Sequence, residues 1–294
     1  MPAKRGRGAV SNIEGRFEKR RLAPIEDAGP VGDEEDAPPR LATSVTPEVT
    51  RTILARNDSP DISFDRSINP YKGCEHGCVY CFARPTHSYL GLSPGLDFET
   101  RIFSKPDAAR LLREELRRPG YRCEVIALGA NTDPYQPVER DLRITRALLE
   151  VLREHRHPVG IITKSSLVLR DLDLLAPMAA ERLASVFLSI TTLDRGLART
   201  MEPRAATPSR RLETHYPLKA KHVLSLVRQT HGGQLYDGEF GKRMKGTGPY
   251  AELLRRRFET ACRRLGLSRS PVPLDTSRFR TPPRAGDQLD LFGR

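Results

Sequence analysis

The sequence predicts an α/β protein built from parallel βαβ units, and three observations carry that expectation. Short apolar runs recur between about Ser63 and Thr191, helical stretches separate them, and turn residues such as Gly129 close them. Strands that alternate with helices in this way form a parallel sheet or barrel, and functional groups collect at the carboxyl ends of its strands.

The elements follow in order. Residues 1–58 hold a basic tract (Arg5, Arg7, Arg16, Lys19, Arg20, Arg21) and then an acidic, Pro/Gly-rich one, EDAGPVGDEEDAPPR. Neither repeats apolar residues at a helix or strand period, so the region is expected to be mostly disordered, with local order around residues 12–17. Residues 59–213 form the core. A short strand is expected at 101–104 and a helix at 107–117, with Leu111, Leu112 and Leu116 on one side. A buried strand follows at 125–128, then a helix at 141–154 carrying Leu142, Leu148, Leu149 and Leu152. The next strand is 159–163, the next helix 172–180, and the last strand 186–191. The alternation then stops. Residues 214–267 read as a basic helical segment, with helices near 219–229 and 249–265 around a Gly-rich loop, and 268–294 as a disordered tail.

The chain has 294 residues, a formal net charge of +12, five Cys and a mean hydropathy of -0.50. No apolar run approaches the length of a membrane span, and the N-terminus lacks the apolar stretch of a signal peptide, so a cytoplasmic location without membrane contact is expected. In that compartment cysteines serve as ligands, nucleophiles or buried thiols rather than disulfides. The charge is uneven: from Arg199 to Arg294 there are 20 basic and 9 acidic residues, against 29 and 28 before them. A local surplus of this size suits a polyanionic partner such as DNA or RNA, or simply a solvated helical face.

Cys74, Cys78 and Cys81 lie in INPYKGCEHGCVYCFARPTHSY, a C-x3-C-x2-C spacing on a loop that contains Gly73 and Gly77. Three thiolates so close in sequence suit one inorganic centre. Structural zinc wants four protein ligands, and His76 or His87 could supply the fourth. A [4Fe-4S] cluster held by three cysteines leaves one iron open. Residue types and spacing admit both.

With Tyr80 just before the last cysteine, the motif resembles that of radical S-adenosylmethionine (SAM) enzymes. The longer string INPYKGCEHGCVYCFAR is similar to the branch that contains spore photoproduct lyase and the bacterial "DNA repair photolyase" homologues. The likeness runs from about Ser63 to Glu213 and resumes more weakly from about Ala220 to Leu267. It implies a partial, TIM-like (β/α) barrel, a [4Fe-4S] cluster on Cys74, Cys78 and Cys81, and SAM chelated by the open iron. It further implies reductive cleavage of SAM to a 5'-deoxyadenosyl radical, lyase-like chemistry on nucleic acid in DNA repair, and an electron donor such as a flavodoxin or ferredoxin. On the same ground Tyr80 would contact the adenine, and Thr132, Asp133, Lys164 and Ser189 would contact SAM from the strand ends. Glu202 and Arg204 would stand over the cofactor or substrate mouth. The alternative, from a different class, is a non-catalytic metal-binding nucleic-acid protein with zinc or a structural cluster, or an inactive, truncated paralogue.

Two departures stand out. Spore photoproduct lyase carries a hydrogen-donating cysteine just before its Ser/Thr-Asp pair, where this chain has Gly129, Ala130 and Asn131; Cys123 lies at the other end of the same strand. Radical SAM cores usually have six βα units, and roughly two are missing between Glu213 and the closing segment, which leaves about four strands.

The C-terminal third supplies Lys242, Arg243, Lys245, Arg255, Arg256, Arg257, Arg263 and Arg264 for phosphate contacts, with Tyr236, Phe240 and Tyr250 interleaved for stacking on bases. Arg210 and Arg211 read as part of a helix start, Phe258 as a core residue and Cys262 as a buried thiol. The ending GDQLDLFGR resembles the short peptide by which bacterial repair and replication proteins dock on the sliding clamp, with Gln288, Leu289, Leu291 and Phe292 as its anchors.

Overall fold

A computed structural model describes residues 7–13, 42–60, 62–189, 191, 200–205, 229–230, 232–233, 239, 246–265 and 272–283. The strands are β1 (Ser44–Pro47), β2 (Leu54–Arg56), β3 (Arg66–Ile68), β4 (Tyr71–Lys72), β5 (Arg101–Ser104), β6 (Ile126–Leu128), β7 (Val159–Thr163) and β8 (Ala184–Leu188). The helices are α1 (Leu96–Thr100), α2 (Ala108–Leu116), α3 (Glu139–Leu142), α4 (Ile144–Glu154), α5 (Leu172–Ala180) and α6 (Gly248–Leu265). Among the described residues the main sheet runs β2-β3-β6-β7-β8, with β3, β6, β7 and β8 parallel and β2 antiparallel at one edge.

The register explains why one face of this sheet packs. Ile68, Leu128 and Ile161 lie in line across β3, β6 and β7, and Ile126 and Val159 repeat the row two residues earlier. Side chains alternate faces along a strand, so these share a side, and there they meet Leu112 and Leu116 of α2, Leu148 and Leu152 of α4 and Leu175 of α5 in one buried core. The other face carries the small row Ser67, Ala127, Gly160 and Ser185. Removing one of the core leucines would cost about 2–5 kcal/mol, so the helix layer fixes the strand ends firmly.

Several expectations are corrected. The strand 101–104 forms, but it is not the first strand of the parallel sheet. As β5 it joins a second sheet, antiparallel to β4 and parallel to β1, and β3 takes its place in the main sheet. The helix expected at 141–154 is broken at Arg143, which sits at φ 53°; α4 begins afresh because the Glu139 carboxylate accepts from Thr145 N (3.0 Å) and Arg146 N (3.3 Å), capping its first turn. The last strand ends at Leu188, short of the expected Thr191.

Parts of both ends that were expected to be disordered are ordered, while residues 14–41 and 284–294 lie outside the described residues. Residues 44–56 build β1 and β2, tied to α2 through Glu115, whose carboxylate accepts from Ile53 N at 2.6 Å. Residues 7–13 also pack, with Arg7 buried. In the tail, Asp275 N and Arg280 N donate to Arg182 O (2.9 Å) and His155 O (2.8 Å), and Phe279 meets His157 edge to face with ring centroids 5.2 Å apart. No described helix is long and apolar enough to cross a membrane.

His157 reports on this lower end of the sheet. Its Nδ1 faces the Pro158 carbonyl (3.0 Å), which can only accept, so Nδ1 carries the proton and Nε2 accepts from the Tyr121 hydroxyl at 2.8 Å. Burial pulls the imidazole down to about 4. Above its ordinary value near 6.5 folded and unfolded chains are both neutral there; between 6.5 and 4 only the unfolded chain gains a proton. Stability should therefore fall by on the order of 3 kcal/mol as pH drops through that window. Denaturant unfolding at pH 7 and pH 4.5 should show a smaller loss for His157→Gln than for the native chain, and equal losses would refute the assignment.

Candidate functional site

The cysteine loop grows out of β4 and returns through α1 to β5, so the ladder Tyr71↔Ser104 and Lys72↔Phe103 closes the base of the excursion. Inside it Cys74 N donates to Phe98 O at 2.9 Å, and Cys81 N to Cys78 O at 3.3 Å. Gly73 (φ 80°) and Gly77 (φ 66°) take the left-handed turns that bring the chain back on itself. Cys74 and Cys78 are buried, Cys81 is half-buried, and none is in a disulfide. Cys74 packs with Ala83 and Phe98, and Cys81 lies against them. Burial pushes the Cys78 and Cys81 thiols up, so a bound metal, not the protein's own charges, would have to displace their protons.

A segment after β6 supports this loop from below. Gln136, fully buried, donates from Nε2 to Gly73 O (3.1 Å) and accepts at Oε1 from Glu75 N (2.9 Å). Thr132 donates to Tyr71 O at 3.0 Å. Asp133 accepts at Oδ1 from Thr163 Oγ1 (2.7 Å) and Tyr135 N (2.9 Å), and at Oδ2 from Lys164 N (2.7 Å), with His76 Nδ1 at 3.3 Å. Burial opposes both charges of that last pair, yet their mutual attraction prevails, with Cys74 adding to it at His76: Asp133 lies below the usual carboxylate range and His76 is lifted to about 10. Thr132 and Asp133, expected as SAM contacts, thus turn their polar atoms into the protein and join sheet to loop.

Above the loop a second group converges. Lys164, one residue past β7, places Nζ 3.0 Å from Glu202 Oε1, 3.3 Å from Thr191 Oγ1 and 5.6 Å from the centre of the Tyr80 ring. The Tyr80 hydroxyl meets Thr191 Oγ1 at 2.9 Å and donates to Glu202, whose carboxyl burial pushes up. Residues 200–205 are themselves stitched to the cysteine loop, by Val79 N to Met201 O (2.9 Å), Arg204 N to His76 O (3.2 Å) and the ion pair of Arg204 with Glu75 (2.8 Å). The structure therefore brings Tyr80, Lys164 and Glu202 together beside the three cysteines. Ser189 only continues the backbone ladder, donating from N to Thr163 O at 2.9 Å, and its side chain makes no hydrogen bond to that group. Gln136 and Thr191 were not foreseen. For Thr191 the signal was its place at the end of the expected strand; Gln136 had none beyond its nearness to Asp133.

His87 is held away from the thiols, donating from Nε2 to Arg101 O (3.0 Å) with its ring against Phe98, while His76 turns Nδ1 to Asp133 (3.3 Å), an arrangement that a metal-ligating histidine can share. Among the described residues no three His, Cys, Asp or Glu groups converge on one metal ion. A cubane cluster makes no such demand, because each thiolate binds a different iron. The donor set therefore suits a cluster better than zinc.

Farther off, α6 exposes Arg255, Arg256, Arg257, Arg263 and Arg264, and Cys262 is buried as expected. Phe258 is corrected from core to surface, 67% exposed. Arg210, Arg211, the helix near 219–229 up to residue 228, Tyr236, Phe240, Lys242, Arg243, Lys245 and the tail residues Gln288, Leu289, Leu291 and Phe292 lie outside the described residues.

The fold and this site define an α/β protein with a three-thiol loop at the carboxyl end of a parallel sheet. Residues 68–254, more than half of the chain, match the sequence profile of the radical SAM superfamily, and the chain belongs to that superfamily. Its proteins use a [4Fe-4S] cluster and SAM. Uncharacterized proteins of Mycobacterium tuberculosis and Mycobacterium bovis are each 44% identical over 188 residues, 62% of this chain and 55% of theirs. An uncharacterized protein of Methanocaldococcus jannaschii is 28% identical over 146 residues, 50% of this chain and 52% of its own. The chain spans about half the length of the curated relatives it matches. No solved structure matches.

Two sets of variants test the assembly. Cys74→Ser, Cys78→Ser and Cys81→Ser should each reconstitute with far less iron and sulfide than the native chain; native loading in any one would remove that cysteine from the site. Gln136→Leu strands the Gly73 carbonyl and the Glu75 N–H in a buried place, at a cost of about 1–3 kcal/mol. Its unfolding midpoint in denaturant should fall accordingly, and an unchanged midpoint would show that the amide bridge does not hold the loop.

Proposed function

We propose that this chain is a radical SAM enzyme that acts on nucleic acid, in the manner of the spore photoproduct lyase-like branch. The convergence of Lys164, Glu202, Thr191 and Tyr80 beside the cysteine loop carries the reading. When bound, the cluster supplies the electron that cleaves SAM to methionine and a 5'-deoxyadenosyl radical. Cys74, Cys78 and Cys81 would hold that cluster. Lys164 offers a cation to the carboxylate of the methionine part and Glu202 an acceptor to the N–H of its amino group, and the two neutralise each other until it arrives. Tyr80 brings its ring, with Lys164 Nζ over it, and Thr191 a hydroxyl to the same space.

At the hydrogen-donor position of spore photoproduct lyase this chain has Gly129, Ala130 and Asn131, none of them a thiol. Gly129 lies at φ 91°, and a Cβ there would overlap the Ile162 carbonyl oxygen. Cys123 stands before β6, at the end away from the cysteine loop. The substrate radical would therefore have to recover its hydrogen from elsewhere, and the thymine-dimer reaction is not the favoured member of this class. The exposed arginines of α6 supply phosphate contacts, and the tail peptide around Gln288 and Phe292 a dock for the sliding clamp. A flavodoxin or ferredoxin would deliver the electron.

Lys164→Met and Glu202→Gln should weaken SAM binding by about 10- to 150-fold, the loss of one charge-assisted hydrogen bond, with iron and sulfide content unchanged. Native affinity in both would place SAM elsewhere. Duplex DNA binding should fall with a slope of log K against log salt near -4 to -5 if five arginines of α6 touch phosphate, and replacing Arg255, Arg256 and Arg257 with Gln should reduce that slope by about 3. 5'-Deoxyadenosine formation by the reduced protein should rise with damaged oligonucleotide present. Formation that ignores nucleic acid would defeat the substrate proposal, and stoichiometric zinc in place of iron and sulfide would defeat the enzyme.

A further inference from the structure

Residues from outside the superfamily match also reach the cysteine loop, among them a stretch at the chain's beginning, about 60 positions before the match starts. Gly8 N and Ala9 N both donate to the carboxylate of Glu99, at 2.8 and 2.6 Å, and Arg7 Nη1 donates to the Glu99 carbonyl at 3.0 Å. Glu99, fully buried at the end of α1, also pairs with Arg84, whose Nε donates to the Cys78 carbonyl at 3.0 Å. One carboxylate thus connects the N-terminal amides to the middle cysteine. The backbones touch as well: a Cβ on Gly8 would overlap the carbonyl oxygen of Gly77, which lies between Cys74 and Cys78. Farther along, Asn12 and Asp97 exchange two hydrogen bonds (2.9 and 3.0 Å), Ser93 donates to Ile13 O, and a Cβ on Gly95 would overlap Ser11 O.

We propose that residues 7–13 are a strap belonging to the cluster site, which holds the cysteine loop in its binding conformation and screens that side of it from water and oxygen. Two glycines, Gly8 and Gly95, are needed because the strap lies in backbone contact with the loop, where no side chain fits. The amides of Gly8 and Ala9 are what make a buried Glu99 tolerable, and Glu99 in turn fixes Arg84 against Cys78. Arg7 extends the same connection to the first cysteine, since its Nη2 donates to Thr43 Oγ1 (3.1 Å) and Thr43 donates to Glu75, the residue after Cys74. Gly8, Arg7 and Glu99 are thus positioning residues for the cluster.

The inference rests on the cysteines' holding a cluster, and the full-length chain tests both. Native protein, Gly8→Val and the double variant Arg7→Met with Asn12→Ala are reconstituted anaerobically. Iron and sulfide content, the electron paramagnetic resonance spectrum of the reduced cluster, the rate at which its visible absorbance bleaches in air, and thermal unfolding of the metal-free protein are compared. The strap requires several-fold faster bleaching and an altered spectrum in the variants, measured well below the unfolding temperature of the metal-free protein, which the lost bonds to Glu99 lower. Native bleaching and spectrum in a folded variant overturn it, as does a cluster change that a core variant of equally lowered unfolding temperature, Leu148→Ala, reproduces. Should Gly8→Val fail to fold, the double variant, which keeps the glycine backbone, decides by the same criteria. Native protein that takes up no iron and sulfide removes the cluster and the strap's role together.

Discussion

The carboxylate of Asp133 is the constraint on which the site depends. It is nearly buried, and an ionised carboxylate is tolerated there only if its lone pairs are filled. Thr163 Oγ1, Lys164 N and Tyr135 N fill them, with His76 as the charged partner. These partners come from the ends of two neighbouring strands and from between the first two cysteines. One side chain therefore sets the distance from sheet to cysteine loop and fixes the Lys164 backbone, so that its long side chain reaches over Tyr80 to Glu202. Removing Asp133 would leave His76 without its buried counter-charge and Lys164 without its anchor, a cost of several kcal/mol by analogy with other broken buried pairs.

Much of the sheet was legible because its strands and helices bury apolar rows at their own periods. Residues 126–128, 159–163 and the leucines of α2, α4 and α5 sit as that pattern demands. What failed was short or tertiary in origin. β3 is three residues with one strongly apolar side chain, Ile68, and its place comes from pairing with β6. β5 reads like any strand; only its partners reveal that it closes a loop and does not begin a βα unit. The break before α4 depends on Glu139 reaching two amides, which no local propensity announces.

At the site, the cysteines were legible from spacing, and Tyr80 and Lys164 from the resemblance that the motif supports. Thr132 and Asp133 were foreseen as polar groups at a strand end, yet the structure employs them inward, because the irregular cysteine loop leaves backbone groups that need partners. Gln136 answers the same need. The packed ends of the chain were illegible for a related reason: GRGAV and the Pro-rich tail have no periodicity, and their order comes from Glu99, His155, His157 and Arg182, all distant in sequence.

The cysteine loop explains why distant pieces of chain gather on it. The β4–β5 ladder closes its base, but between Gly73 and Cys81 it has few hydrogen bonds of its own, and both left-handed glycines lie in that stretch. Such backbone keeps one conformation only if it is held from outside. Residues 7–13 hold it on one side, 200–205 on another and Gln136 from below. The first two meet at Thr43, which accepts from Arg7 and from Arg204 Nη1 (3.3 Å) and donates to Glu75. A chain cut to the superfamily match would lose Arg7, Gly8 and Thr43 together, leaving Glu75 and Glu99 buried with fewer donors. The cooperative unit that positions the three thiols is therefore larger than the segment by which the superfamily is recognised.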